Sequence, residues 1–301
     1  MEHKWEGILP ALWTPWDATG ALQEIVLRKN LRFFLDRGVH GILALGSTGE
    51  FLHLDTPTKC RVMDITLAEA GSVPVIVNVS DIRPKEAARM ATAARSAGAA
   101  AITMLPPYFF PVAQADLVEF FLHISDAAQL PLFLYNFPER TGNRINLETI
   151  AAVADRAPLV GVKQSGGEFG YHKDLVALGK EKGFVVLTGS DTRLAEAMEL
   201  GVTGCVSGLS NAVPDITVEL FDAIKRGDTA AAATGSARMK AIGELVNQLE
   251  FPSNISAIIE ARGLNPGHPK TLVSESTHTR YANLLTQFRD LFRSWNLPDC
   301  N

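Results

Sequence analysis

A chain of 301 residues that is 47% hydrophobic can bury a large core, and its length fits two ordinary domains or one α/β barrel of about 250 residues with an extension. Lys+Arg 28 against Asp+Glu 33, a net charge of -5, leaves no basic footprint for a phosphate backbone and argues against a nucleic-acid partner. Residues 1–7 carry charges and a Trp but no apolar run of leader length, and nothing later approaches about 18 uninterrupted apolar residues, so a soluble, cytoplasmic protein with no membrane partner is expected.

From the N-terminus, short β-branched or leucine-rich runs recur at residues 7–13, 41–45, 73–79, 101–105, 132–135, 159–163, 184–188 and 204–207. Between them lie segments with helical spacing, such as Leu27, Leu31, Phe34 and Leu35 on one face,. Thr56, followed by Pro57, and Asn146 read as helix N-caps,. Eight strand–helix repeats without a break in composition predict parallel pairing through crossover helices and favour a closed (β/α)8 TIM barrel over an open sheet. After the eighth run only helical periodicity remains, with Ile242, Leu245, Val246 and Leu249 on one face and Leu284, Leu285, Phe288 and Leu291 on another. We therefore expect a barrel over residues 1–227 carrying the active site and a C-terminal α-helical extension over 228–301 packed on it. The breaker cluster at residues 263–269 reads as a loop within the extension,. Cys60, Cys205 and Cys300 are far apart and lack C-x-x-C spacing, which predicts reduced thiols rather than a disulfide frame or a zinc site.

In such a barrel the chemistry sits just beyond the C-terminal ends of the strands. There the second run ends in Gly46-Ser47-Thr48-Gly49-Glu50, the fifth in Tyr135-Asn136-Phe137-Pro138-Glu139-Arg140-Thr141-Gly142, the sixth in Lys163-Gln164-Ser165-Gly166-Gly167 and the seventh in Thr188-Gly189-Ser190-Asp191. Lys163 is the most informative of these residues. It closes the apolar run Leu159-Val160-Gly161-Val162, and apolar burial disfavours a charged lysine, which is how an amine becomes nucleophilic toward a ketone. A lysine at a strand end otherwise snorkels to solvent, but the glycines on both sides leave room around this one, and the adjoining run supplies no acidic partner. The glycine-flanked turn at 46–50 offers backbone N–H groups and two hydroxyls to a small carboxylate, although a capped tight turn explains the same pattern. Tyr135 is either a core tyrosine or a proton carrier beside the amine, and Arg140 either a surface cation or a fork for a substrate carboxylate. The loop from Gly204 to Asn211, which contains Ser207, reads as a glycine-lined pocket wall. The histidines do not cluster with carboxylates, and H-E-x-x-H and G-x-S-x-G do not occur,.

Taken together, G-S-T-G-E at 46–50, Y-N-F-P-E-R-T-G at 135–142 and G-V-K-Q at 161–164 resemble the dihydrodipicolinate synthase and N-acetylneuraminate lyase family of pyruvate-dependent class I aldolases. The likeness runs from about Gly7 to Asn211 and continues weakly through the helices. It implies a Schiff base between Lys163 and a 2-keto acid, with Tyr135 and Thr48 in proton transfer and no metal or organic cofactor. Ser47, Thr48, Gly49, Arg140, Ser165, Gly189, Asp191 and Ser207 would surround the substrate, and a homotetramer of paired dimers would be the usual assembly.

Departures from the family's pattern bear on the substrate. Phe109, in Pro106-Pro107-Tyr108-Phe109-Phe110-Pro111, stands where a tyrosine usually enters the neighbouring subunit's site, and phenylalanine passes no proton. Ser47 replaces a typical synthase threonine, and Lys163-Gln164 is more like the sugar-acid lyases. Arg140 matches the synthases, and Thr192 stands where sialic-acid lyases carry a glutamate. The leading expectation is a carbon–carbon lyase acting on a 2-keto-3-deoxy acid. The alternatives are a synthase condensing pyruvate with aspartate semialdehyde, a dehydratase using the same imine, and a non-catalytic member that binds a keto acid.

Overall fold

The computed structural model describes residues 4–297, so Cys300 lies outside the described residues. Its eight strands are β1 (Gly7–Pro10), β2 (Ile42–Ala44), β3 (Val75–Asn78), β4 (Ala101–Met104), β5 (Leu132–Asn136), β6 (Leu159–Gln164), β7 (Val185–Thr188) and β8 (Gly204–Ser207). All neighbouring strands pair in parallel in the order β1-β8-β7-β6-β5-β4-β3-β2. A parallel bridge from Ala11 to Leu43 brings β1 against β2 and closes the ring. Every strand expected from the sequence is present. They stand out as near-continuous apolar runs because parallel strands covered on both faces cannot alternate with polar residues.

The crossover helices are α1 (Glu24–Leu35), α2 (Thr56–Ala70), α3 (Pro84–Ala97), α4 (Gln114–Ala128), the short α5 (Pro138–Thr141), α6 (Leu147–Ala154), α7 (Tyr171–Lys182), α8 (Leu194–Glu199) and α9 (Pro214–Arg226). Leu27, Leu31 and Phe34 of α1 are buried, as their spacing predicted, and fully burying each such side chain stabilises the fold by about 1.5–3 kcal/mol. One of the two predicted N-caps needs correction. For α2 the cap is Asp55, one residue before Thr56, because the Asp55 carboxylate accepts from Thr58 N. Asn146 does occupy the cap position of α6, but its side chain makes no capping bond.

Three further helices follow, α10 (Thr229–Val246), α11 (Ser253–Ala261) and α12 (Glu275–Ser294). The connection from α11 to α12 contains the predicted loop and is pinned to the top of the barrel. Trp13 Nε1 donates to Pro266 O at 2.7 Å, His268 N to Trp16 O at 2.7 Å, and Asn30 Nδ2 to Asn265 O at 3.1 Å. Lys270, almost fully buried, pairs with Glu50 at 2.8 Å and lies 5.1 Å and 5.2 Å from the Trp13 and Trp16 ring centroids. Loss of Glu50 would leave Lys270 with the Thr14 carbonyl, 2.7 Å from Nζ, but without an opposite charge,.

Inside the ring, Leu9, Leu43, Ile76, Phe133, Leu187 and Val206 pack as a separate apolar cluster, and Trp5 meets the Phe133 ring edge-on with centroids 5.1 Å apart. This cluster underlies the floor of the site. Because strand side chains alternate, Phe133 and Tyr135 share one face of β5, and the register sets Phe133 beside Gly161 and Tyr135 beside Lys163.

Candidate active site

Lys163 rises from this floor at the C-terminal end of β6 and is 5% exposed. Its Nζ lies 3.9 Å from the Tyr135 ring centroid, while Ser47 Oγ lies 3.4 Å from the phenol oxygen. Burial by itself would raise the Tyr135 phenol. The charge of Lys163, with hydrogen bonds from Ser47, Lys163 and Ser165, outweighs that effect and holds the phenol below its ordinary value,. A phenol of this kind beside an amine can both release and take up a proton.

The glycines serve a different purpose from the one their positions suggested. A Cβ on Gly161 would run into the Phe133 ring, and one on Gly166 into the Glu139 carboxylate. Gly161 therefore lets Phe133 fill the floor. Gly166 and Gly167 receive Glu139, whose Oε1 accepts from Gly167 N at 2.5 Å and ties the β5 loop to the β6 loop. The glycine that does border the amine is Gly189, where a Cβ would collide with Ser165 Oγ and stand 3.3 Å from Lys163 Cε.

Around this center a cleft of about 680 Å³ is lined by Ser47, Thr48, Tyr135, Arg140, Lys163, Ser165, Gly189 and Asp191 among other residues. Two of the candidate substrate-binding residues lie outside that wall. Gly49 packs behind it, since a Cβ there would be 2.7 Å from Leu12 O, and its amide donates to Gly46 O at 3.1 Å. Ser207 is fully buried and donates to Asp191 Oδ1 instead of facing the cleft. Thr48 lines the wall near Gly208, so Ser47, rather than Thr48, is the hydroxyl beside the Tyr135 phenol. The Glu50 amide also closes the turn, onto Ser47 O at 3.0 Å. Among the described residues no backbone carbonyl takes the Ser47 or Thr48 N–H groups, which leaves those two amides for an anion.

Asp191 is held more elaborately than its sequence predicts. Its Oδ1 accepts from Ser207 Oγ and, at 3.2 Å, from Leu209 N. Ser207 Oγ in turn accepts from Ser210 N at 2.9 Å and Ser210 Oγ at 2.5 Å, and Ser210 Oγ lies 2.7 Å from Thr217 Oγ1. Burial pushes the Asp191 carboxyl up, while Ser207, the Leu209 and Gly208 amides and the charge of Lys163 oppose the rise. The acidic neighbour of the amine thus comes from the end of β7, not from the run containing Lys163. Burial also pushes the Cys205 thiol well up, aided by Asp191 and opposed by Lys163, so this cysteine is not a ready thiolate.

One expectation about specificity changes, and two neighbouring aromatic residues find their places. Gln164 points away from the cleft, fully buried, and accepts from Asn136 Nδ2 at 2.7 Å; it ties β6 to β5 and cannot report on the substrate. Phe109 has φ 82, is 85% exposed and packs edge-on against Phe110, outside this chain's own cleft. Tyr108 does line the cleft, set edge-on to Phe51 with centroids 6.5 Å apart. Burial and then Asp81 raise its phenol, with Arg83 opposing.

Arg140 stands exposed at the rim, its guanidinium carbon 5.6 Å from the Phe251 ring centroid. Phe251, Asn254 and Ile255, with Gly243 and Val246 of α10, complete the mouth. These contributions from beyond residue 227 carried no motif; the only hint was the break at Phe251-Pro252 between two helical segments.

The sequence profile of the dihydrodipicolinate synthetase family matches residues 4–288. The chain is 32% identical over 288 residues to a 4-hydroxy-tetrahydrodipicolinate synthase of Methanococcoides burtonii, covering 94% of this chain and 98% of that one. It is 34% identical over 279 residues to the enzyme of the same name from Pseudomonas syringae pv. syringae, covering 90% and 94%. Among solved structures it resembles YagE, a prophage protein of this family from E. coli K12 determined with pyruvate, at a TM-score of 0.89 and 28% identity over 95% and 98% of the two chains. The fold and site define a TIM-barrel protein of the aldolase and lyase type. This chain belongs to the dihydrodipicolinate synthetase family.

Proposed function

We propose that the chain is a class I aldolase that cleaves or forms the C3–C4 bond of a 2-keto-3-deoxy acid through an imine on Lys163. The observation that carries this reading is the buried Lys163 amine against Tyr135, with Ser47 on the phenol, at the closed end of a cleft. The amine adds to the C2 ketone, and loss of water gives a protonated imine. In cleavage Tyr135 takes the C4 hydroxyl proton, the C3–C4 electron pair moves toward the imine, and an aldehyde leaves. The resulting enamine takes a proton at C3, and water then hydrolyses the pyruvate imine and frees Lys163. The Ser47 and Thr48 amides hold the keto-acid carboxylate, Ser165 supports the phenol, and Asp191 faces the reacting center. The reaction draws on no metal or organic cofactor.

Condensation of pyruvate with aspartate semialdehyde is the second reading, favoured by Arg140 at the rim, where it can take an acceptor's carboxylate,. Assembly as a homotetramer belongs to the proposal, and the exposed Phe109 and Phe110 rings are its support on this chain. Among the described residues no helix is long and apolar enough to cross a membrane, and we place the enzyme in the cytoplasm. Borohydride reduction in the presence of pyruvate tests the shared step. The expected result is a mass adduct on Lys163; no adduct, or an equal one on Lys163→Ala, overturns the aldolase and the synthase alike.

A further inference from the structure

We propose that the outer half of the cleft selects an aldehyde with an apolar or aromatic body, so that the substrate is a 4-hydroxy-2-keto acid bearing an aryl or branched aliphatic group at C4. The inference rests on the Lys163 imine and deepens it. A cleft of about 680 Å³ has the volume of a drug-sized ligand site, well beyond the needs of a three-carbon keto acid. Its floor is taken up by Lys163, Tyr135 and the serine–threonine turn, which leaves the outer half for the acceptor.

The walls of that half are Phe137, Leu209, Val246, Phe251 and Ile255. Phe251 is one of the few large apolar side chains on the described surface that stand open to solvent, at 37% exposed. An apolar occupant would cover it.

Several polar side chains beside this apolar wall are engaged within the protein. Thr141 Oγ1 donates to Phe137 O or Asn143 O, at 3.1 Å and 2.8 Å. Asn254 Nδ2 donates to Val246 O at 3.1 Å, and its Oδ1 accepts from Ile255 N at 2.8 Å. Glu50 is paired with Lys270. Thr192 turns its methyl toward α10, where a Cβ on Gly243 would meet Cγ2 at 2.7 Å. Arg140, Asn247 and His53, all exposed, and the hydroxyls of Tyr108, Ser190 and Thr192 remain on other parts of the lining. Each hydroxyl of a polyhydroxylated chain that meets the wall of Phe137, Leu209, Val246, Phe251 and Ile255 gives up a water bond without replacing it, at a cost of about tenfold in affinity per unpaired group. An aromatic ring loses nothing comparable and gains apolar contact with Phe137 and Phe251,.

In the forming direction, the enamine carbon of pyruvate bonds to the aldehyde carbon, the aldehyde oxygen takes its proton from Tyr135, and water releases the product from Lys163. With benzaldehyde the product is 4-hydroxy-2-oxo-4-phenylbutanoate, and no oxidant or reductant is needed.

The test uses the full chain in two stages, borohydride trapping of pyruvate first and product formation by NMR second, with benzaldehyde, isobutyraldehyde, glyceraldehyde and aspartate semialdehyde as acceptors. Trapping together with a kcat/KM for benzaldehyde at least about tenfold above that for glyceraldehyde and the semialdehyde is the expected result. Phe251→Asn should lower the benzaldehyde-to-glyceraldehyde ratio about tenfold, and Val246→Asn should do the same if the first variant does not fold. If pyruvate is trapped but glyceraldehyde or the semialdehyde is used as well or better, or no aldehyde is used, the proposed substrate class is wrong and the imine stands. Absence of trapping overturns both.

Discussion

The floor and the mouth of the cleft are built in different ways. The floor is polar, is supplied by the C-terminal ends of β2, β5, β6 and β7 with Tyr135 and Lys163 paired in register, and is held by internal bonds such as Ser47 to Tyr135 and Ser207 to Asp191. The mouth is largely apolar and draws on α10, α11 and the segment between them, far from the floor residues in sequence. The difference teaches that reaction type and substrate choice are encoded at different ranges. An amine, a phenol and an anion-binding turn must sit within an ångström or so of their working positions, which the strand ends of one closed parallel ring provide. An apolar wall only needs the right shape, so it can come from any helix that packs nearby.

If the floor is the chemical half, its substitutions should act on kcat regardless of acceptor. The largest effect is expected for Lys163→Ala, a fall in kcat on the order of 10⁴-fold or more with the fold retained, since the covalent step is lost. Activity within tenfold of the parent would break the division at its root. Next comes Tyr135→Phe, which removes a proton carrier and leaves the carboxylate site intact. We expect kcat to fall by about 10²–10⁴-fold while pyruvate binding, followed by calorimetry, changes little. Equal losses in both would assign the phenol to binding instead.

The floor was far more legible in the sequence than the mouth. Tyr135, Lys163, Ser47 and Asp191 follow apolar runs that are themselves conspicuous, because a parallel strand has no polar face to disguise it. Reading failed where side-chain direction or a partner mattered. Gln164 adjoins Lys163 in the chain but points to the opposite side of β6 and bonds Asn136. Gly161 was read as space for the amine, whereas its missing side chain accommodates the Phe133 ring. Ser207 closes β8 at the entry to the segment that lines the site, yet its hydroxyl supports Asp191 from behind. The mouth depends on α10 and α11 folding back over the barrel, a long-range packing event that no local pattern announces, so nothing near Phe251 or Ile255 in the chain marks them as part of the site.

A smaller effect should separate support from contact within the floor itself. Ser207→Ala removes a bond that opposes the burial-driven rise of the Asp191 carboxyl, so the carboxyl must rise further. If the charged form works, the acid limb of the kcat/KM profile moves to higher pH, and activity on the plateau falls by no more than about tenfold, the scale of one charge-assisted bond. Ser207→Thr, which keeps the hydroxyl, should restore the parent profile. An unmoved acid limb in the alanine variant would remove Asp191 from the reacting center.

Arg140→Ala is expected to have the smallest effect and to discriminate most finely between floor and mouth. Its guanidinium is exposed, so solvent and salt screen whatever charge it meets, and a contribution above about 1 kcal/mol is not expected. The KM for aspartate semialdehyde should rise severalfold, the KM for benzaldehyde should stay as it was, and kcat should change little for either. Added salt should shrink the difference, because the interaction is electrostatic and lies at the rim. A fall in kcat shared by both acceptors would instead mean that Arg140 reaches the reacting atoms, and the boundary drawn between floor and mouth would then have to move outward past the β5 loop.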